Sequence, residues 1–175
     1  MAEILLTSET FVKSVTNVSD NLAGKYILPS IREAQDQGLK GILGDNLLAK
    51  VKELVKTESL EGHYKDLVDH CQYYLAYSAI VEATNKVSFK IGNFGVAKSQ
   101  DENLQVASYD EIVKMQYYYQ SKMDAYCLDL QKWILDNKEH FPELSACQCN
   151  KIKSNLYSAA SCGVFLGGGR GKIRR

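Results

Sequence analysis

The chain has 175 residues, 45% of them apolar and 24% charged, which is enough for one domain with a sizeable core and an ordinary surface. Lys+Arg and Asp+Glu each number 21, and that balance excludes a protein built wholly around nucleic acid. Charge is nevertheless unevenly placed. Residues 151–175 hold Lys151, Lys153, Arg170, Lys172, Arg174 and Arg175 and no acid, so an acidic body has to offset a basic tail. The five Cys (Cys71, Cys127, Cys147, Cys149, Cys162) are an odd count without framework spacing, and no secretory leader is expected, so they read as reduced thiols. No apolar run reaches the ~18 residues of a membrane span. Eleven Tyr stand against one Trp, a usage that suits half-buried seams between helices or subunits.

Taken in chain order, residues 1–6 form a short apolar start. Thr7 or Ser8 caps a short helix carrying Phe11, Val12 and Val15. Residues 17–20 end it, and a second helix is expected over about 21–37. Its apolar face is Leu22, Tyr26, Ile27, Ile31 and Ala34, with a kink near Leu28 imposed by Pro29. Residues 38–44 (GLKGILG) read as a glycine-punctuated connector. They are not a phosphate loop, because no Gly-Lys-Ser/Thr ends them and no strand precedes them. Asp45 is expected to cap a third helix with Leu47, Leu48, Val51, Leu54 and Val55 inward. After a polar turn at 57–59, a fourth helix is expected over about 60–85. Its stripe is Leu60, Tyr64, Leu67, Cys71, Leu75 and Ile80, broadened by Tyr73, Tyr74 and Tyr77.

Residues 87–107 alternate in their first five positions and carry turn chemistry at Gly92-Asn93-Phe94-Gly95, which predicts a β-hairpin or extended loop. Ser108 and Glu111 form a capping box that opens a long helix to about Asn137. Ile112, Met115, Tyr119, Met123, Tyr126, Leu130 and Trp133 share one of its faces. Such a helix spans on the order of 45 Å and reads as a spine for the others. Tyr117, Tyr118 and Tyr119 point about 100° apart on it, so at least one is exposed in a single copy. Pro142 ends this part, and residues 143–175 read as an extended C-terminal arm rich in Ser, Gly, Asn and Cys. The expected fold is therefore mainly α. It is a helical bundle over 1–142 with two long antiparallel helices, a β-hairpin insertion at 87–107 between them, and the arm.

The candidate catalytic set is empty. His63, His70 and His140 form no constellation, and solvated helix positions account for them. Cys147-X-Cys149 with His140 has the wrong gap for a zinc knuckle, so no metal or cofactor is expected. The ending attracts more interest. Val164, Phe165 and Leu166 precede Gly167, Gly168, Gly169, Arg170, Lys172, Arg174 and Arg175. Three readings stand: a solvated end, phosphate contact, or docking on a protein partner. The apolar triplet beside the charges favours docking. Phe89, Asn93 and Phe94 in the expected hairpin are the second set of candidate contacts.

Four stretches carry a family resemblance: Tyr26-Ile27-Leu28-Pro29-Ser30-Ile31-Arg32-Glu33-Ala34-Gln35-Asp36; Leu39-Lys40-Gly41-Ile42-Leu43-Gly44-Asp45-Asn46-Leu47-Leu48; the paired long helices with Asn93-Phe94-Gly95-Val96 between them; and Gly163-Val164-Phe165-Leu166-Gly167-Gly168-Gly169-Arg170-Gly171. Together they resemble the head–tail connector (adaptor, or ring) proteins of tailed bacteriophages, especially those of Bacteroides-type hosts, including the crAss-like phages. The resemblance spans nearly the whole chain and rests on packing and turn signatures. It implies a homo-oligomeric ring, a dodecamer, made in the host cytoplasm and placed in the virion neck. Its partners would be the portal protein, the next ring or tail protein, and genomic DNA passing through the lumen, with no membrane involved. The C-terminal arm would dock on portal or neighbour, and the hairpin would face the lumen or the next ring. The alternative is a nucleic-acid-binding accessory protein that uses its basic tail.

Overall fold

A computed structural model describes residues 4–92, 95–98 and 108–161. Helix α1 (Glu9–Val15) starts where Ser8, in an extended conformation, accepts a hydrogen bond from the Phe11 N–H at 3.1 Å. Helix α2 (Gly24–Glu33) continues through Pro29, then passes directly into a π-helical stretch (Ala34–Leu39) and α3 (Lys40–Lys56). The expected connector at 38–44 is therefore corrected to helix. The physical reason is packing. Leu39, Ile42 and Leu43 are buried and hold this segment in the core, and that burial outweighs the helix-weakening glycines. The one true break is Gly44, at φ 77° and ψ 167°, a conformation that favours glycine. Just upstream, Gly38 lies against the Tyr74 hydroxyl, where a Cβ would collide. Gln35 is fully buried in the π-helical stretch. Its Oε1 accepts from the Leu6 N–H at 2.9 Å and its Nε2 donates to the Ile4 carbonyl at 3.1 Å. One side chain thus satisfies two backbone groups of the segment that leads into α1.

Helix α4 (Gly62–Ser88) and α5 (Tyr109–Asp136) are the two long helices. The hub is α4, which corrects the expectation that residues 108–137 would be the spine. Leu67, Val68, Cys71, Tyr74, Leu75, Ala76, Ala79, Ile80 and Ala83 are all buried, so α4 is apolar round most of its circumference, the signature of a helix enclosed by others. It packs against α1, α2, the π-helical stretch and α5. Near its end Lys86 ties it to α2, with Nζ 2.5 Å from Glu33 Oε2 and 3.1 Å from Ser30 Oγ. Strand β1 (Phe89–Gly92) follows and pairs antiparallel with β2 (Gly95–Lys98), Phe89 opposite Lys98 and Gly92 opposite Gly95. The chain is mainly α.

Helix α5 begins with the capping box, Ser108 Oγ accepting from the Glu111 N–H and the Glu111 carboxylate from the Ser108 N–H. Residues 143–161, expected as part of an extended arm, are corrected in large part: α6 (Ala146–Ser161) is a helix. Its apolar content is sparse but aimed inward, Ile152 being buried and Leu156 resting on the same cluster. Among the described residues the core forms two clusters strung along α4. The first joins Leu39, Leu43, Leu47, Leu67, Leu75, Leu130, Ile134, Phe141 and Ile152. The second joins Val12, Ile27, Ile31, Ala76, Ala79, Ile80 and Tyr119. Each fully buried Leu or Ile contributes roughly 1.5–3 kcal/mol relative to exposure.

Candidate interaction surface

An aromatic seam runs where α4 meets α5. His70 stacks on Trp133 with centroids 4.6 Å apart. Tyr73 stacks on Tyr126 at 5.4 Å, and Tyr77 stacks on Tyr126 from the next turn at 5.2 Å. Tyr77 also lies 6.4 Å from Tyr119, which meets Tyr118 edge-on at 5.3 Å. Low-numbered α4 residues meet high-numbered α5 residues, so the two helices are antiparallel. Phe11 extends the seam edge-on to Tyr73, while Phe141 bridges Trp133 and Tyr64. Pairs at these separations favour association beyond their area burial by about 0.5–1.5 kcal/mol each.

The hydroxyls and thiols along this seam are held protonated. Burial, and then Tyr126, Tyr118 and Tyr119, push the Tyr77 phenol above its ordinary value. Burial does the same to Tyr119, and it pushes Tyr74 up to about 12. Tyr64 is pushed up to about 12 by burial and by its 2.8 Å hydrogen bond to Glu143 Oε2. Burial pushes the Cys71 and Cys127 thiols up as well, away from the reactive thiolate. These groups therefore offer ring faces and neutral donors, not nucleophiles.

The outer side of α5 is open. Among its described side chains only Tyr119, Leu130, Gln131 and Ile134 are buried. Tyr117 is 71% exposed, Tyr118 55% and Met115 44%. Lys122 reaches back over the Tyr118 ring at 5.8 Å. The sequence expectation of at least one exposed tyrosine among 117–119 is met by two of the three. Met115, on the same face as Tyr119, is partly exposed at the mouth of an open pocket of about 170 Å³ that it lines with Tyr119, Ile80, Ala83 and Leu22.

Where α6 meets α3, Gln148 Nε2 donates to the Gly41 carbonyl at 2.7 Å and to the Ile42 carbonyl. The break at Gly44 deprives these carbonyls of helical donors, and Gln148 supplies the substitute. Lys151 Nζ approaches the Gly41 carbonyl at 3.4 Å. Asp45, expected as a cap, forms an ion pair with Lys40 at 2.8 Å.

The expected docking residues Val164, Phe165, Leu166, Gly167, Gly168, Gly169, Arg170, Lys172, Arg174 and Arg175 lie outside the described residues, as do Asn93 and Phe94. Phe89 opens β1. His140 stacks on His63 with centroids 3.6 Å apart, and among the described residues no group of three or more His, Cys, Asp or Glu is placed to hold a metal. No described helix is long and apolar enough to cross a membrane. The sequence reading missed the aromatic ladder, although Tyr73, Tyr77, Tyr119 and Tyr126 at four- and seven-residue steps on two paired helices were its available signal. A family model described as a family of unknown function, DUF6712, matches residues 39–154. That span takes in α3 through most of α6. No curated protein and no solved structure matches the chain.

Proposed function

The chain belongs to the DUF6712 family, and we propose that it is a non-enzymatic structural subunit of a phage head-to-tail connector ring. The observation that carries this reading is the one-sided packing of α5. A 28-residue helix seats one side on α4 and α6 and leaves Tyr117 and Tyr118 in solvent. Tyr is enriched in interfaces because a broad ring and a terminal hydroxyl suit a surface that is dry on one side and wet on the other. A ring closes by heterologous contacts, one face of each copy against a different face of the next. The α5 face and the α1–α2 side of the second core cluster are two such faces. The sequence likeness supplies the setting: the virion neck, with portal and tail proteins as neighbours and genomic DNA in the lumen. In this reading the β1–β2 ribbon, with Phe89, Asn93 and Phe94, faces the lumen or the next ring, and residues 164–175 dock on portal or a neighbour.

Mass photometry of the chain, alone and mixed with portal protein, tests the proposal. The expected product is a ring of about twelve copies of the 19.6 kDa subunit on portal, which Tyr117→Glu with Tyr118→Glu abolishes while the helical spectrum stays. A chain that remains monomeric beside portal, or rings that tolerate both charges, contradicts it. The alternative, a nucleic-acid accessory, draws on the acid-free stretch 151–175. It predicts DNA affinity that falls steeply with salt.

A further inference from the structure

Beside the seam, α4 and α5 enclose an open groove of about 340 Å³. Its walls are the rings of His70, Tyr73, Tyr126 and Trp133, and the exposed carboxylates Asp129 and Asp136 stand on its rim. Neither carboxylate has a hydrogen-bond or ion-pair partner among the described residues. Lys132, between them in sequence, also lines the groove and is bonded to neither, so the rim carries a net charge of −1. His70 Nδ1 donates to the Asp66 carbonyl at 2.8 Å, and one face of its ring is taken by Trp133, which leaves Nε2 without a protein partner among the described residues.

We propose that this groove receives the basic C-terminal segment of the same chain, residues 167–175, in the unassembled protein. Three features converge on that occupant. Charge is the first. Residues 1–150 hold 15 Lys and Arg against 21 Asp and Glu, a net charge of −6, while residues 151–175 hold six basic residues and no acid. The two parts attract, and the rim of the groove offers two of the body's unpaired carboxylates. Chemistry is the second. Guanidinium and ammonium groups sit over aromatic faces and pair with carboxylates at the same time. Gly167, Gly168, Gly169 and Gly171 let a backbone approach rings that a side-chain-bearing strand would meet with its Cβ atoms. Reach is the third. Helix α6 ends at Ser161, and the 14 residues beyond it extend up to about 45 Å, comparable with the roughly 42 Å length of α5. Tethering holds the segment near the groove at a millimolar effective concentration, well above the concentration of a second copy in dilute solution. The inference deepens the ring reading by saying where the segment rests before a partner takes it. Its test uses the free chain without portal, so its failure leaves the ring reading to its own experiment.

Trp133 is the only tryptophan in the chain and lines the groove, so its fluorescence reports occupancy directly. The full-length chain is compared with a full-length variant carrying Arg170→Ala, Lys172→Ala, Arg174→Ala and Arg175→Ala, at one fixed pH. The expected result is a difference in Trp133 emission that does not depend on protein concentration and vanishes near about 1 M salt, where screening is nearly complete. A peptide of residues 163–175 added to the tail-substituted variant should restore the wild-type emission saturably. Adding Asp129→Asn and Asp136→Asn to that variant should weaken the peptide on the order of fivefold. Identical emission from both proteins together with no saturable peptide response overturns the proposal. A difference that grows with protein concentration places the segment on a second copy and overturns the intrachain assignment. Peptide affinity indifferent to both Asn substitutions shows that this groove is not the receiving surface.

Discussion

Replacing Gln148 with Ala tests how the α3 break is held. The side chain donates two hydrogen bonds, to the carbonyls of Gly41 and Ile42, across more than a hundred residues of sequence. Each such bond contributes about 0.5–1.5 kcal/mol net. The site borders an open cleft of about 300 Å³ lined by Leu43, Gly44, Asp45, Asn46, Glu143 and Ser145, so water re-solvates part of what is lost. The expected cost is about 1–2 kcal/mol. At about 2–4 °C per kcal/mol for a chain of this size, that lowers Tm by roughly 2–8 °C. Differential scanning calorimetry or far-ultraviolet circular dichroism measures it. The control is Lys151→Ala, whose exposed 3.4 Å contact to the same Gly41 carbonyl is worth no more than about 0.5 kcal/mol. A Gln148→Ala protein that melts with the wild type, or no lower than Lys151→Ala, refutes the argument that this amide replaces the donors missing at Gly44.

Gly44→Ala and Gly41→Ala should move stability in opposite directions. The first forces a Cβ into φ 77° and costs about 1–3 kcal/mol. The second sits in helix with open space around it and gains about 0.4–1 kcal/mol; denaturant midpoints separate them. Ser108→Ala should destabilise the start of α5 by about 1 kcal/mol and flatten the acid limb of stability. Bonds from the Ser108 N–H and hydroxyl hold the Glu111 carboxyl below its ordinary value of 4.5, so their contribution is present above that pH and is lost as pH falls through the lowered value. Tyr64 and Tyr74 are both raised from 10 to about 12. The unfolded chain therefore loses these protons first, and stability should fall as pH rises from about 10 to 12. Urea melts at successive pH values, with Tyr64→Phe for comparison, check the sign.

What was legible in the sequence was local. Ser108 and Glu111 lie three residues apart, and their capping box needs nothing from the rest of the chain. Leu67, Cys71, Leu75 and Ile80 repeat on one face of a long uninterrupted run, and all four are buried. The stretch 38–44 misled because glycine spacing says nothing of packing. Gly38 is there to admit the Tyr74 hydroxyl, Gly41 is helical, and only Gly44 breaks the helix. Helix α6 was hidden because its fold signal is Ile152 and Leu156 in a polar background, and their partners lie far back in the chain. Gln35 and Gln148 act across 29 or more residues, so periodicity cannot reveal them. The groove was illegible for the same reason: His70 and Trp133 become neighbours only when α4 and α5 pair.

In a ring of copies, the open face of α5 is covered by a neighbour. Hydroxyl-radical footprinting of Tyr117 and Tyr118, in the free chain and in portal-bound assemblies, measures this most directly. Both should label strongly in the free chain, where they are 71% and 55% exposed, and at least Tyr117 should be protected in the assembly. Equal labelling in both states contradicts it.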